Sequence, residues 1–257
     1  MNEQLEAKLV DDLRKCGFYS EMRTIQACWA AGWECRGSFT YFDKDERATR
    51  ECDFQAVREW SRVDEHDGAI HVMARLVGQV KKAEVPWIVS KDRRSKFRDD
   101  ECDNITITNA PDGDRISDII RRHSLAARTG WAGTSIHEAF KPPTDRSRWY
   151  SAFVSVCKAA EFVFDGAAVA PRLDSHFEII QPVVVLDGLL VAAELSLEGK
   201  LVLTETDGAA FTFEYRSDAY ERPQYALDVV TLDAFPRYLD LVAARMSAVT
   251  DVLRNRR

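Results

Sequence analysis

Two consecutive stretches of the chain, TRECDFQAVREWSR (49–62) and AIHVMARLVGQVKK (69–82), decide the fold. Each has the composition of a β-strand, and the polar segment DEHDG (64–68) between them ends in glycine, as a tight turn does. The sequence therefore predicts a β-hairpin. Folding it around His66 pairs positions whose numbers add up to about 132.

This register brings three polar residues together. Asp53 lies opposite Gln79, and directly opposed residues of an antiparallel pair share a face of the sheet. Lys81 lies two residues beyond Gln79, on that same face. A slip of one residue would separate the three side chains, so the prediction depends on the register.

An acid, an amide and a lysine in this arrangement suit metal-dependent cleavage of a phosphodiester. Mg²⁺ and Mn²⁺ prefer oxygen ligands, which the Asp53 carboxylate, the Gln79 amide and the Val80 carbonyl would supply. A bound cation stabilises charge on the phosphate and lowers the pKa of its water. The Lys81 ammonium would lie by the attacking water or the scissile phosphate.

The motifs in this part of the chain resemble the core of the PD-(D/E)xK phosphodiesterases, which include restriction and repair nucleases. The similar segments are Tyr41-Phe-Asp43, Arg50-Glu-Cys-Asp-Phe54, Val77-Gly-Gln-Val-Lys-Lys82 and Pro86-Trp87. The resemblance implies an α/β fold with a restriction-endonuclease-like core: a central mixed sheet flanked by helices, here with an insertion and additional C-terminal strands. It also implies a Mg²⁺- or Mn²⁺-dependent endonuclease acting on DNA, in antiviral defence or DNA processing.

By the same resemblance, Asp53 is the metal-binding aspartate and residues 79–81 stand where the family has Asp/Glu-x-Lys. Glu21 matches the acidic residue that many members place at the edge of the site, although an acid in the first turn of a helix also complements its dipole. Gln79 departs from the usual acid but matches the Gln-x-Lys of Mrr-like restriction endonucleases. Cys52 replaces the usual proline.

Two other interpretations remain open at this stage. The neutral Gln79 is compatible with a catalytically degenerate member of the fold, acting as a nucleic-acid-binding or structural subunit of a larger complex. Alternatively, the chain is an unrelated α/β interaction domain in which Asp53 and Lys81 form a surface ion pair.

Hydrophobic periodicity and turn residues predict the other elements. Helices are expected at 3–15, from an N-cap at Ser20 to Gly32, at 114–123, at 147–163 and at 233–254, and strands at 35–42, 176–186, 189–195, 200–206, 209–216 and 224–231. The apolar run Pro182–Leu186 predicts a strand buried on both faces. We interpret residues 1–257 as a single nuclease-like domain, with 83–145 as an insertion or partner-facing lobe.

The net charge of −7 and the pI near 5.4 argue against a surface that grips nucleic acid everywhere. Contact with DNA is therefore expected to be local, or shared with a protein partner or another copy of the chain. The candidate nucleic-acid contacts are Lys82, next to the predicted site, and Arg93, Arg94 and Lys96 in the basic run 91–98. That run is either a phosphate-contacting segment beside the site or a solvated loop.

The sequence also predicts where the protein is found. The N-terminus is charged and amphipathic, unlike a signal peptide, and no apolar run approaches the roughly 20 residues of a membrane helix. The six cysteines are scattered, which predicts free thiols in a cytoplasmic protein. A glycine-rich phosphate loop is missing from the sequence, which argues against nucleotide hydrolysis.

Overall fold

A computed structural model describes residues 2–64, 68–92, 105–108, 113–142, 147–168 and 175–254. Its helices are α1 (Glu3–Lys15), α2 (Phe18–Ala30), α3 (Gly113–Arg122), α4 (Leu125–Thr129), α5 (Arg148–Ala168) and α6 (Phe235–Arg254). Its strands are β1 (Glu34–Asp43), β2 (Ala48–Asp64), β3 (Gly68–Lys82), β4 (Trp87–Asp92), β5 (Ile105–Thr108), β6 (Ala132–Glu138), β7 (Ser175–Asp187), β8 (Leu190–Leu195), β9 (Leu201–Glu205), β10 (Gly208–Glu214) and β11 (Gln224–Thr231).

The described strands form one mixed sheet in the order β1-β2-β3-β7-β11-β10-β6-β4-β8-β9, and β5 pairs with β7 beside this path. Strands β1, β2 and β3 are successive antiparallel neighbours, whereas β3 and β7 run parallel. The chain between β3 and β7 includes α5, as a parallel crossover requires. The predicted α/β class, with a mixed sheet flanked by helices, is confirmed.

Strand β7 is the centre of the sheet. It pairs with β3 from Ser175 to Asp187, while its other edge pairs first with β5 and then with β11. The run Val183–Leu186 is fully buried, as its apolar sequence predicts. Pro182 has no N–H to donate, and it lies where the second partner changes from β5, ending opposite Ile180, to β11, beginning opposite Val183.

Helices cover both faces of the sheet and enclose two hydrophobic cores. One core contains Phe54 of β2 and Phe235 of α6; the other contains Phe153 of α5. The consecutive residues Val183 and Val184 belong to different cores, because successive side chains of a strand point to opposite faces. A strand apolar at every position is therefore what this three-layer arrangement needs.

The prediction that Ser20 caps α2 is wrong. The helix begins at Phe18, with Gly17 at the N-cap position. Ser20 is buried, and its hydroxyl donates a hydrogen bond to the Asp187 carboxylate at the end of β7. The Ser20 hydroxyl therefore bonds to Asp187, which is distant in sequence, and not to the backbone at the start of the helix as the sequence pattern predicted.

Residues 83–145 contain more regular structure than the predicted helix at 114–123. Besides α3, they contain β4, β5, α4 and β6, and all three strands belong to the common sheet. None of the described helices combines the length and the apolar character needed to cross a membrane.

A buried ion network connects α5 to the β1–β2 turn. The Lys158 ammonium lies 2.9 Å from both carboxylate oxygens of Asp43 and 2.8 Å from Asp45 Oδ2. Burial lowers the pKa of Lys158, but its hydrogen bonds to Asp45 and Asp43 outweigh that effect and raise the pKa above its usual value. Lys158 is therefore charged, and it holds the β1–β2 turn against the helix.

Candidate functional site

The candidate site lies where β2 and β3 stop pairing. Their register runs from Asp64 opposite Gly68 to Phe54 opposite Gly78, with the constant sum of 132 that the hairpin prediction requires. The predicted hairpin and its register are therefore confirmed. Asp53 and Gln79 are the next positions beyond the last pair.

Gly78 allows the strands to approach closely at this point. A Cβ atom on Gly78 would lie 2.0 Å from the Phe54 ring, a distance that no side chain can occupy. The ring therefore covers the backbone of β3 just before Gln79. This contact anchors the last pair of the hairpin in the core.

The Asp53 side chain continues the hydrogen bonding after the pairing ends. Its Oδ2 accepts a hydrogen bond of 2.6 Å from the Val80 backbone N–H. A carboxylate accepting from a backbone amide is a strong, charge-assisted bond, so it fixes the orientation of the group. Asp53 Oδ1 has no hydrogen-bond partner within the part of the chain that the structure describes.

Lys81 joins the other two predicted residues. Its ammonium donates to Gln79 Oε1 at 2.5 Å and lies 3.7 Å from Asp53 Oδ2. The side chains of Lys81 and Asp53 are 30% and 17% exposed, whereas Gln79 is only 5% exposed. The acid, amide and lysine thus meet at one place, with the acid and the lysine still open to solvent. The ion pair of the alternative, non-catalytic interpretation is also present.

Glu21 approaches this group from α2. Burial raises the pKa of its carboxyl, and the negative charge of Asp53 raises it further, while Lys81 acts in the opposite direction. These interactions put Glu21 within electrostatic range of both residues. Two carboxylates that repel each other beside a lysine are an environment that a bound cation would relieve.

Sequence reasoning missed Ser38. The pairing of β1 with β2 includes Gly37–Phe54 and Phe39–Cys52, so Ser38 is the position opposite Asp53. Its φ of 46° is in the left-handed region that side chains rarely adopt. Its hydroxyl donates to Glu51, whose charge also raises the Glu21 pKa. A lone serine in a strand carries no sequence signal for this conformation.

Cys52 is a structural residue here. Its thiol is completely buried and donates to the Gly78 carbonyl at 3.2 Å. Burial raises the pKa of this thiol to about 12, so it stays protonated and is unsuited to act as a nucleophile. Cys52 therefore contributes packing and a hydrogen bond to the adjacent strand.

The proposed nucleic-acid contacts are only partly visible. The Lys82 ammonium donates to the Arg14 carbonyl at the end of α1, so it connects that helix to β3. Arg93, Arg94 and Lys96 lie outside the described residues. Contact between the basic run 91–98 and nucleic acid therefore stays a prediction.

The donor atoms of the site are oxygens, which fit a hard cation such as Mg²⁺ or Mn²⁺. They comprise Asp53 Oδ1, which has no partner among the described residues, and the Gln79 amide oxygen, with the Glu21 carboxylate within electrostatic range of them. Among the described residues, no group of three or more His, Cys, Asp or Glu side chains is arranged as a metal site. Asp53 and Glu21 are only two such acids, so the fit to a cation depends on the Gln79 amide and on main-chain oxygens such as that of Val80.

Comparison with known proteins adds no family to this description. No protein-family model matches the chain, and no significant match to it is found among curated proteins or solved structures.

Proposed function

We propose that the chain is a metal-dependent phosphodiesterase that cleaves DNA. The observation that carries the proposal is the meeting of Asp53, Gln79 and Lys81 at the point where β2 and β3 part. The Lys81 ammonium lies within 4 Å of both the hydrogen-bonded acid and the amide oxygen, and the acid and the lysine are partly exposed. These are the parts that hydrolysis of a phosphodiester needs.

The order of elements supports a restriction-endonuclease-like core. A helix, three antiparallel strands, a crossover helix and a parallel fourth strand correspond here to α2, β1–β3, α5 and β7. The acid lies on the second of these strands and the Gln-x-Lys on the third, as the resemblance to the PD-(D/E)xK enzymes implies. Fold analogy alone does not establish an activity, so the proposal depends on the site.

Each residue has a defined part in the proposed reaction. The Val80 N–H holds one oxygen of Asp53, and the other, which has no partner among the described residues, would bind the cation. A bound Mg²⁺ or Mn²⁺ would supply charge stabilisation and a more acidic water. The Lys81 ammonium, already positioned by Gln79, would donate to a non-bridging phosphate oxygen as negative charge develops there.

A second candidate function is supported by Gln79 itself. The amide brings no negative charge, and its oxygen already accepts from Lys81. A degenerate member of the same fold, retained as a nucleic-acid-binding or structural subunit, would have this appearance. The acidic net charge also favours a subunit whose DNA contact is shared with a partner.

The test compares plasmid and single-stranded DNA cleavage, with Mg²⁺ and with Mn²⁺, by the native protein, Asp53→Asn and Lys81→Met. We expect native cleavage and a loss of at least about 100-fold in each variant. Lys44→Met and Asp165→Asn are matched controls, because these residues form an exposed ion pair of 2.8 Å between the β1–β2 turn and α5.

The outcomes distinguish the two candidates. Full cleavage by Asp53→Asn or Lys81→Met would exclude the proposed site. Absence of cleavage by the native protein, together with absence of Mn²⁺ binding in calorimetry, would instead support the degenerate subunit. Equal losses in the Lys44 and Asp165 controls would show that the effects are not specific to the site.

A further inference from the structure

Strand β9 forms one end of the sheet. It pairs with β8 along one edge, and no strand among the described residues pairs with its other edge. All five of its residues, Leu201–Glu205, are exposed. Edge strands usually carry a lysine, a proline or a bulge that prevents pairing with another chain. The segment Leu201–Thr204 has none of these features.

The hydrogen bonds to β8 determine which backbone groups point outwards. The Ser196 N–H donates to the Lys200 carbonyl at 2.8 Å, and the Thr206 N–H donates to the Leu190 carbonyl at 3.0 Å. Bonded and non-bonded pairs alternate along an antiparallel ladder. Even-numbered residues of β9 therefore face β8, and Leu201, Leu203 and Glu205 direct their N–H and C=O groups outwards.

The outward-bonding residues also carry an apolar stripe. Leu195 of β8 lies opposite Leu201, and both side chains are about two-thirds exposed, at 67% and 65%. Leu203 shares that face and is 55% exposed. Exposed apolar side chains beside unsatisfied backbone groups are characteristic of a surface that a further strand covers.

We propose that β9 pairs in antiparallel fashion with β9 of a second copy of this chain. A two-fold axis at Leu203 uses all three outward-facing residues: Leu203 lies opposite its own counterpart, and Leu201 lies opposite the partner's Glu205. The two sheets then continue into one another, and the leucine stripes of both copies meet on one face.

Charge complementarity favours a second copy as the occupant and antiparallel as the direction. Lys200 precedes β9 and Glu205 ends it, and both are exposed. Lys200 also forms an exposed ion pair of 3.0 Å with Glu198, and Asp207, beyond Glu205, pairs with Arg237, so the charge contrast between the two ends rests on Lys200 and Glu205. Antiparallel pairing brings the basic end of each strand next to the acidic end of the other. Parallel pairing would place like charges together.

The position of Leu203 on the axis gives a test specific to this interface. In Leu203→Lys or Leu203→Glu, two like charges would face each other across the axis, and we expect dimer dissociation constants at least about tenfold higher. Mixing the two variants should restore a heterodimer, because lysine then faces glutamate. Leu201→Lys is the matched control: its new lysine faces the partner's Glu205, so the dimer should persist.

Molar masses from light scattering and sedimentation of the full chain, from 1 to about 100 μM, provide the measurement. A concentration-dependent native dimer, weakened in both Leu203 variants and restored by mixing them, is the expected result. A native monomer throughout would overturn the proposal, as would a dimer that Leu203→Lys leaves intact. Equal weakening by Leu201→Lys and Leu203→Lys would overturn the proposed register. Circular dichroism and thermal unfolding establish that each variant is folded.

Discussion

Replacing Lys158 with methionine removes the only ammonium that contacts Asp43 among the described residues. The side chains of Lys158 and Asp43 are each 5% exposed, and Lys158 Nζ is within 2.9 Å of both Asp43 oxygens. Asp45 completes the ion network, and the ammonium also lies 5.3 Å and 5.7 Å from the ring centres of Tyr215 and Tyr220. Methionine fills a similar volume but leaves the carboxylates without their cation.

The separation of the charges gives the scale of the effect. At 2.9 Å and an effective dielectric constant of about 20, one ion pair contributes about 6 kcal/mol before the cost of desolvation. Desolvation offsets most of this, so the intact pair adds little net stability. Breaking it is different, because Asp43 stays buried without a cation and keeps only the neutral donors of Asp45 N–H, Glu46 N–H and the Tyr220 hydroxyl. We expect Lys158→Met to lower the free energy of unfolding by about 3–5 kcal/mol.

Urea denaturation, with the slope of the transition checked for constancy, measures this loss. The triple variant Asp43→Asn, Asp45→Asn, Lys158→Met removes all three charges and should recover most of the lost stability. Lys44→Met breaks an exposed ion pair and should cost less than about 1 kcal/mol. A loss below about 1 kcal/mol for Lys158→Met, or no recovery in the triple variant, would refute the reasoning.

Two further predictions concern the candidate site and the response to acid. Gln79→Glu adds a carboxylate within reach of Asp53 and Lys81, so calorimetry should show Mn²⁺ binding at least about tenfold tighter; unchanged affinity would contradict a metal site there. Burial raises the pKa of Asp45, but hydrogen bonds from Lys158 and then from Ser217 and Tyr215 outweigh it and lower that pKa to about 2. Because this folded-state value is below the usual one near 4, the associated stability is present above pH 4 and lost as the pH falls towards 2. In urea unfolding, the free energy of unfolding of the native protein should fall by about 1–2 kcal/mol more than that of Asp45→Asn between pH 4 and pH 2. Equal falls in the two proteins would argue against a stabilising Asp45 charge.

The hairpin of β2 and β3 could be predicted because its information is local. The turn residues, the strand lengths and the position of Gly68 together determine the register, and with it the meeting of Asp53, Gln79 and Lys81. The central strand β7 could be predicted for a related reason. Burial on both faces leaves a run of consecutive apolar residues, which few other environments favour.

Other features depend on residues that are distant in the sequence. Strands β4 and β6 are short and include polar positions, and they are strands because they pair with each other and with β8 and β10. The left-handed conformation of Ser38 accompanies a hydrogen bond to Glu51 on the neighbouring strand, which no pattern around Ser38 indicates. Whether Gln79 serves a metal also depends on chemistry that spacing does not encode.

The parallel pairing of β3 with β7 has a consequence for synthesis on the ribosome. Residues 21–81, which contain the candidate site, leave the ribosome well before Ser175, the first residue of β7 to pair with β3. The β2–β3 hairpin can therefore form early, while the long-range parallel contact must wait. Until β7 is synthesised, β3 keeps an open edge, and Val77 and Val80 lack part of the cores that bury them in the finished protein. Between the synthesis of β3 and that of β7, the open edge and uncovered apolar residues of the nascent chain can therefore associate with other chains.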